Sequence, residues 1–380
     1  MCLNSAWVDA RLQEPVEERV GNRSPQAWEK ADWSHEIASI LFGKQQSKIL
    51  VRSEAELVSL LHQARENKAV ARVIPWVEGD TERVQALLDK ARAEADHRLQ
   101  DALSLLSRTQ KICTEMAVPY VVIKSLDALP DIGHDIDLLV GQNLPAVRAE
   151  VLRRFKCNPV TLTFCDRQAG KFSVFIDGFE SDFELYTRIS QLGEEYYPEE
   201  RILERRSKVS FLEEGTFLCS AEDRLLIACI HTMYRHGKIR LSDLNIAYQL
   251  LKSQIDLSYV LETVEASGIQ RGFAVFMRIL ERTVRESTDR DALTPPVRDY
   301  TERVLNSDAL LKLLSGRLQL RFPLRIPLRI MALLFLYKSF ADFGRTQGRK
   351  SWRSLVAPIL LAIDKSVPLR IQKAIAVRIW

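Results

Sequence analysis

The chain has 380 residues, of which 46% are hydrophobic and 27% are charged, and its formal net charge is +4. This balance excludes a wholly disordered chain, and no run reaches the ~18 uncharged apolar residues that a membrane-spanning helix needs. The first residues lack a basic segment followed by an apolar run, so we expect a cytoplasmic protein rather than a secreted one.

Residues 1–80 are predicted to form an N-terminal helical segment. Ser53 followed by Glu56 is typical of a capping box, which predicts that a helix begins there. From near Asp80, apolar residues recur at three- and four-residue spacing to about Met116. This period predicts one long amphipathic helix.

Residues 81–198 are predicted to form a small core that combines helix and strand. After the long helix, short β-branched and apolar runs alternate with turn residues, a pattern typical of strands. The predicted strands are 120–123, 136–140, 160–165, 172–176 and 183–189, with a helix at 144–155.

Residues 199–314 return to helical periodicity and predict a helical lobe, and residues 315–380 predict Leu- and Arg-rich C-terminal helices. From residue 311 to the end there are 14 basic and two acidic residues, a net charge of +12 (14 − 2). We consider three roles for this segment, in order of preference: helices packed on the lobe, a peripheral contact with an anionic membrane, or a nucleic-acid contact.

The most informative residues are two acids at the start of a predicted strand. Asp135 and Asp137 flank Ile136 and precede an apolar run. On a strand, side chains two residues apart point to the same face, so the two carboxylates project side by side. Such a pair suits divalent ions in phosphoryl or nucleotidyl transfer, and Mg²⁺ prefers these hard oxygen ligands. The alternative is an exposed strand end with two solvated acids.

A third carboxylate is expected from the later strand that contains Asp182 and Glu184. Glu184 lies between two apolar residues, where an uncompensated charge is costly, so it is the preferred candidate. Asp182 is expected at the solvated start of the strand, and Asp177 before Gly178 is better explained as a turn. Lys124, at the end of the first predicted strand, is a candidate for neutralising phosphates, with a solvated strand end as the alternative.

These residues resemble the DNA polymerase beta-like nucleotidyltransferase superfamily, and more narrowly its uncharacterised nucleotidyltransferase family. The resemblance rests on Val122-Ile123-Lys124-Ser125, Asp135-Ile136-Asp137-Leu138-Leu139-Val140 and Glu184-Leu185-Tyr186, and it covers about residues 85–255. It implies an α+β fold: a small mixed nucleotidyltransferase sheet flanked by helices, with an N-terminal helical segment and a C-terminal helical lobe.

The resemblance also implies a metal-dependent nucleotidyltransferase. Such an enzyme moves a nucleoside monophosphate from a nucleoside triphosphate, such as ATP, to an unknown acceptor: a small molecule, a protein or an RNA. Asp135, Asp137 and Glu184 would hold Mg²⁺ and carry catalysis, and Lys124 and Ser125 would bind the nucleotide. Ser125 stands where the family has a Gly that lets the backbone approach the triphosphate.

The alternative function is a catalytically degenerate binding or scaffold protein on the same fold, with its basic tail on an anionic membrane or nucleic acid.

Two residues of the predicted lobe are considered as further candidates. His231 lies in an apolar run and is expected as a partly buried structural histidine. Asp243 either anchors the lobe to the site or is an acid at a helix N-terminus.

Overall fold

The computed structural model describes residues 32–44, 47–133, 135–159, 170–191, 194–210 and 215–345. Within them, a mixed sheet is flanked by helices, with a helical segment before it and a helical lobe after it. The predicted α+β fold is therefore confirmed. The predicted strand at 160–165 and the chain from residue 346 onward lie outside the described residues.

The described N-terminal segment combines short helices with a parallel two-stranded ribbon. Its elements are α1 (Ser34–Leu41), β1 (Ile49–Val51), α2 (Glu54–Glu66), α3 (Val70–Val73) and β2 (Val77–Gly79), and β1 pairs with β2. The Ser53 hydroxyl accepts a hydrogen bond from the Glu56 N–H at 3.2 Å, which satisfies an amide that the start of α2 leaves open. The helix start predicted at Ser53 is confirmed.

A long helix, α4 (Glu82–Glu115), packs against the sheet. It begins after Thr81, whose Oγ1 accepts a hydrogen bond from the Val84 N–H at 3.3 Å. Its buried face shares an apolar cluster with the sheet residues Ile136 and Leu138, to which the helix contributes Ala102, Leu105, Leu106, Ile112 and Cys113. The predicted long helix is confirmed.

The central sheet has seven described strands, and two of them carry the acids predicted above. In chain order the elements are β3 (Val121–Val122), β4 (Asp135–Leu139), α5 (Leu144–Arg154), β5 (Cys157–Pro159), β6 (Lys171–Ile176), β7 (Asp182–Tyr186), β8 (Ile189–Gln191), β9 (Glu194–Tyr197), α6 (Glu199–Glu204), β10 (Ser207–Val209) and β11 (Thr216–Leu218). The strand order is β10-β11-β3-β4-β7-β6-β5, while β8 and β9 pair with each other. At the centre, β4 and β7 run parallel, so their first residues lie at the same edge of the sheet.

Two strands of the sheet lie where the sequence pattern predicted helix. β10 and β11 form an antiparallel pair, and β11 joins the sheet in parallel to β3 through Leu218 and Val122. Each is only three residues long, too short to show the alternation that identifies a strand. The helical pattern predicted for residues 199–314 therefore does not hold at these strands, and the sheet extends beyond residue 198, where the predicted core ends.

The helical lobe follows the sheet. Its elements are α7 (Ala221–Ile230), a π-helical turn (His231–His236), β12 (Lys238–Ile239), α8 (Leu241–Lys252), α9 (Leu257–Ala266), α10 (Gln270–Thr288), α11 (Pro295–Asn306), α12 (Ala309–Gly316), β13 (Leu324–Arg325) and α13 (Leu328–Arg345). β12 pairs with β13, so the chain beyond residue 320 returns to the lobe. The Ser220 hydroxyl accepts a hydrogen bond from the Asp223 N–H at 3.2 Å and begins α7 as predicted.

One apolar cluster connects the N-terminal segment, the helical lobe and the start of the basic C-terminal segment. It includes Ile37 of α1, Phe276 of α10 and Phe335 of α13, each at most 2% exposed. The preferred prediction, that the C-terminal helices pack on the lobe, thus agrees with the described part of this segment. Within the residues described, no helix combines the length and apolar character needed to cross a membrane.

Candidate active site

The register of β4 and β7 brings four acids to one edge of the sheet. Asp135 is paired with Asp182, and Asp137 is paired with Glu184, on directly adjacent parallel strands. Because side chains two residues apart share a face of a strand, all four carboxylates lie on the same side of the sheet. The apolar residues that alternate with them face the opposite side, against α4.

Three of these acids form a compact group. One carboxylate oxygen from each of Asp135, Asp137 and Glu184 lies within 4.8 Å of those of the other two. Asp137 and Glu184 are buried, at 1% and 6% exposure, whereas Asp135 is partly exposed. Asp182, the other candidate for the third acid, is paired with Asp135 at the start of β7 and is not part of this group. The structure thus brings together the three carboxylates that the sequence selected.

Lys124 and Ser125 both contact Asp137. The Lys124 ammonium lies 3.1 Å from Asp137 Oδ1. The Ser125 hydroxyl accepts the Asp137 N–H at 2.8 Å and donates to Asp137 Oδ2 at 3.3 Å. These contacts hold Asp137 in place. The Ser125 hydroxyl is therefore hydrogen-bonded to a buried aspartate in this structure.

Glu184 has partners that the sequence analysis did not find. Lys171 forms an ion pair with Glu184 Oε1, and the Ser173 hydroxyl donates to the same oxygen at 3.3 Å. The Tyr186 hydroxyl donates to Glu184 Oε2 at 2.6 Å. Lys171 directly precedes the predicted strand 172–176 and Ser173 lies within it, so the two share one face of β6, and this spacing was the available signal. Using it requires knowing that β6 pairs antiparallel with β7.

The π-helical turn of the lobe reaches the site from the other side. His231 Nε2 lies 3.1 Å from the Lys124 ammonium and 2.9 Å from His236 Nε2. From the same turn, Arg235 donates to the Tyr186 hydroxyl at 3.0 Å. His231 is therefore more than the structural histidine that was expected, because it connects the lobe to Lys124. Turns of this kind are frequent at functional sites.

Burial and charge set the protonation of the carboxylates. The pKa of Asp137 is raised to about 7. Burial is the main cause, the Asp135 and Glu184 charges add to it, and the Lys124 charge opposes it. Burial and the Asp135 charge also raise the pKa of Glu184, but Lys171 and Lys124 outweigh them, so it lies below its ordinary value. Burial, followed by the Glu184 and Asp135 charges, raises the pKa of Asp182 to about 7. Crowded carboxylates of this kind favour the entry of a cation.

Comparison with protein families gives a match over most of the chain. The model of a family described as uncharacterised nucleotidyltransferase matches residues 52–285, which is 234 of the 380 residues. The chain belongs to this family. None of the curated proteins matches the chain, and none of the solved structures does. The matched range includes β4 and β7 with their acids, the helix α2 and the π-helical turn, so the contacts of the carboxylate site lie within the nucleotidyltransferase region.

The three carboxylates fit a divalent cation. Their donor atoms are all oxygens, which a hard ion such as Mg²⁺ prefers, and the partly exposed Asp135 gives access to the group. Asp137 Oδ1 is buried and receives no well-aligned hydrogen bond, although the Lys124 ammonium is nearby. Such an oxygen is suited to a metal ion, because it keeps a lone pair that no aligned donor occupies.

The structure places the other predicted candidates elsewhere. Asp243 accepts a hydrogen bond from the Arg240 N–H at 2.9 Å at the start of α8, as expected of an acid at a helix N-terminus. Asp177 lies in the turn after β6 and forms an exposed ion pair with Lys156 at 3.1 Å. Neither belongs to the three-carboxylate group.

Proposed function

We propose that this chain is a metal-dependent nucleotidyltransferase that transfers a nucleoside monophosphate from a nucleoside triphosphate to an acceptor. The observation that carries the proposal is the group of three carboxylates on β4 and β7, in a chain that belongs to a nucleotidyltransferase family. The acceptor is a small molecule, a protein or an RNA, and ATP is the first donor to test. We expect the reaction to take place in the cytoplasm.

In this proposal Asp135, Asp137 and Glu184 hold Mg²⁺. The lowered pKa of Glu184 keeps its carboxylate ionised at neutral pH, as a metal ligand requires. Lys124, 3.1 Å from Asp137, is placed to neutralise phosphate oxygens that approach the same edge of the sheet. Ser125 orients Asp137 through its two hydrogen bonds, and its own N–H is proposed as a donor to the nucleotide.

The proposed reaction forms a bond between an acceptor oxygen and the α-phosphorus. It breaks the bond from that phosphorus to the bridging oxygen, which leaves with pyrophosphate. Bound Mg²⁺ would neutralise phosphate charge and make the acceptor hydroxyl easier to deprotonate. The protein contributes orientation: Ser125 and Lys124 fix Asp137, and Lys171 with Tyr186 fixes Glu184.

A second candidate function has its own supporting observation. Lys124 pairs with Asp137 and Lys171 pairs with Glu184, so two of the three carboxylates are already compensated by ammonium groups. A degenerate nucleotidyltransferase that binds or scaffolds, with its basic tail on an anionic membrane or nucleic acid, would have such pairs without needing Mg²⁺.

The deciding experiment is incubation of the protein with each radiolabelled nucleoside triphosphate and Mg²⁺, with and without cell extract. We expect label to be transferred by the wild type and not by Asp135→Asn or Asp137→Asn, since amides cannot replace the negative oxygen ligands. Circular dichroism should show that both variants remain folded. Absence of transfer, together with Mg²⁺ binding that the double variant retains unchanged, would contradict the proposal and favour the scaffold.

A further inference from the structure

The turn that ends α2 holds a lysine in a backbone conformation that usually selects glycine. Lys68 has φ = +51°, in the left-handed region. Its N–H donates to the Arg65 carbonyl at 3.0 Å, and the Ala69 N–H donates to the Ala64 carbonyl at 2.9 Å. These two bonds form a Schellman motif, whose left-handed residue is most often Gly because a side chain there costs free energy. The turn therefore carries a backbone cost at Lys68 that a glycine would not have.

Contacts on both sides of Lys68 anchor this turn. The Asn67 side chain accepts the first N–H of α8 at 3.1 Å and donates to a backbone carbonyl just before β13 at 3.3 Å. Arg72 forms a 2.7 Å ion pair with Asp131, which lies in the loop before β4. The turn is thus joined to the lobe and to the loop that leads into Asp135, which fixes the Lys68 backbone relative to the carboxylates.

The Lys68 ammonium lies beside the acidic group. A methyl group added at Gly133 would lie 3.1 Å from Lys68 Nζ and 2.9 Å from a carboxylate oxygen of Asp135. Gly133 therefore leaves open a narrow space that both charged groups border. Within the described part of the chain, Lys68 forms no ion pair, in contrast to Lys124 and Lys171, so its charge is available to a ligand.

Lys68 also lies within electrostatic range of the π-helical turn that contacts the site. Burial is the main cause of the lowered pKa of His231 and of His236, and the Lys68 charge lowers both further. Lys68 is itself partly exposed. The lysine thus lies beside Asp135 of β4, and its charge also acts on the histidines of the π-helical turn and on Asp243 at the start of α8.

We propose that Lys68 binds a phosphate oxygen of the nucleotide at the open side of the carboxylate site, next to Asp135. The inference rests on the proposed function and adds to it a substrate ligand from the N-terminal segment. An ammonium fixed beside a metal-binding carboxylate meets the phosphates that accompany the metal, because the bound cation removes the charge that Asp135 would otherwise offer it.

A matched pair of variants tests this role. Lys68→Gly removes the ammonium and suits the left-handed backbone. Ala117, with φ = +53°, has the same position in a second Schellman motif after α4, in which Ala117 donates to the Thr114 carbonyl at 3.0 Å and Val118 donates to the Cys113 carbonyl at 2.8 Å. Ala117→Gly therefore relieves the same backbone cost away from the site and controls for it.

The measurement is calorimetric titration of the full chain with Mg²⁺ alone, with inorganic tripolyphosphate plus Mg²⁺, and with each nucleoside triphosphate plus Mg²⁺. We expect Lys68→Gly to weaken tripolyphosphate binding about 10- to 100-fold, the effect of losing a charge-assisted hydrogen bond. The Mg²⁺ affinity of Lys68→Gly should equal or exceed that of the wild type, because the variant lacks a positive charge near Asp135. Lys68→Arg should recover most of the affinity, and Ala117→Gly should bind as the wild type does.

Each other outcome has a definite meaning. Equal polyphosphate binding by the wild type and Lys68→Gly overturns the role of Lys68 and leaves the proposed function intact. A parallel loss of Mg²⁺ affinity in Lys68→Gly means that the lysine acts through Asp135, which also overturns it. If the wild type binds neither a triphosphate nor tripolyphosphate with Mg²⁺, the proposed function and the role of Lys68 fail together.

Discussion

Asp137 and Glu184 occupy directly paired positions on two adjacent parallel strands, and each is held by a different lysine. The pairing fixes the distance between the carboxylates through the backbone of the sheet. The lysines and the hydroxyl groups around them fix the side-chain orientations. A cation that binds between the two carboxylates therefore meets ligands already in place, which reduces the entropy lost on binding.

The choice of Glu184 over Asp182 as the third ligand can be tested by two matched amide substitutions. Loss of a hydrogen-bond partner of a metal ligand typically lowers metal affinity roughly 10- to 100-fold. Glu184→Gln removes a ligand itself, so it should lower Mg²⁺ affinity by more than that. Asp182→Asn should change it less than about tenfold, because Asp182 lies outside the three-carboxylate group. Calorimetry with Mg²⁺ and a transfer assay measure both. Full activity in Glu184→Gln with loss in Asp182→Asn would reverse the assignment.

The Ser125 hydroxyl should matter for stability as well as for metal binding. Ser125→Ala leaves the buried Asp137 N–H without its 2.8 Å acceptor, which costs about 1–3 kcal/mol in the free energy of unfolding. Ser173→Ala removes only a 3.3 Å bond to Glu184 and should cost less. Urea denaturation compares the two variants, and Mg²⁺ titration should show weaker binding in Ser125→Ala. An equal stability loss in both variants would contradict this account.

Asp127 should make the protein less stable as the pH rises through the acidic range. It lies 3.0 Å from Arg224, and burial raises its pKa from 3.8 to about 6 against the effect of that charge. Between about pH 4 and pH 6 the folded state keeps a proton that the unfolded state releases. The free energy of unfolding therefore falls as pH rises across this window, by about 3 kcal/mol from this group.

The test is urea denaturation of the wild type and Asp127→Asn at pH 4, 5, 6 and 7. The variant should lose less stability over this range than the wild type. Asp131, Asp137 and Asp182, whose pKa values are also raised, act in the same direction in both proteins and cancel in the comparison. Parallel stability curves for the two proteins would exclude a titrating Asp127.

The basic C-terminal segment should divide into a structural part and a binding part. Truncation after Ser315 removes buried residues of the shared core, namely Ile330, Met331, Leu334 and Phe335, and should give an unstable protein. Truncation after Arg345 keeps them and removes seven basic residues and one acid, a net charge of +6 (7 − 1). We expect this shorter truncation to fold and to lose binding to anionic liposomes.

Sedimentation with anionic liposomes and filter binding with RNA, each at low and high salt, measure this loss. Lipid is the preferred partner because basic residues alternate with Leu, Ile and Trp380 in the sequence, and nucleic acid needs no apolar face. Binding should weaken with salt as counterions compete. If full-length protein binds neither partner at low salt, or if truncation after Arg345 changes nothing, the segment has no anionic partner.

The carboxylates could be located from the sequence because their signal is local. Asp135 and Asp137 alternate with an apolar residue on one strand, and Glu184 lies between Phe183 and Leu185 in the same way. Both strands form where the alternation predicts them. Alternation over five residues of a strand is sufficient to predict which face of the sheet each side chain occupies. This prediction was enough to select the three acids.

The partners of the carboxylates could not be located, because their positions depend on contacts between distant parts of the chain. Lys171 reaches Glu184 only through the antiparallel register of β6 on β7. His231 reaches Lys124 across 107 residues of sequence, and Lys68 borders Gly133 from the turn after α2. The strand β11 joins β3 through a single paired position, Leu218 on Val122, and its three residues carry no alternating pattern.

The apolar cluster that includes Ile37 and Phe335 determines when this protein can finish folding during its synthesis. These two residues are separated by 298 positions (335 − 37) and are both nearly inaccessible to water. The N-terminal helices leave the ribosome long before α13, which packs against the same core. Their apolar faces are therefore exposed to solvent while the sheet is translated. Exposed apolar faces of this kind make a nascent chain prone to aggregation, and the shared core is completed only after α13 has been translated.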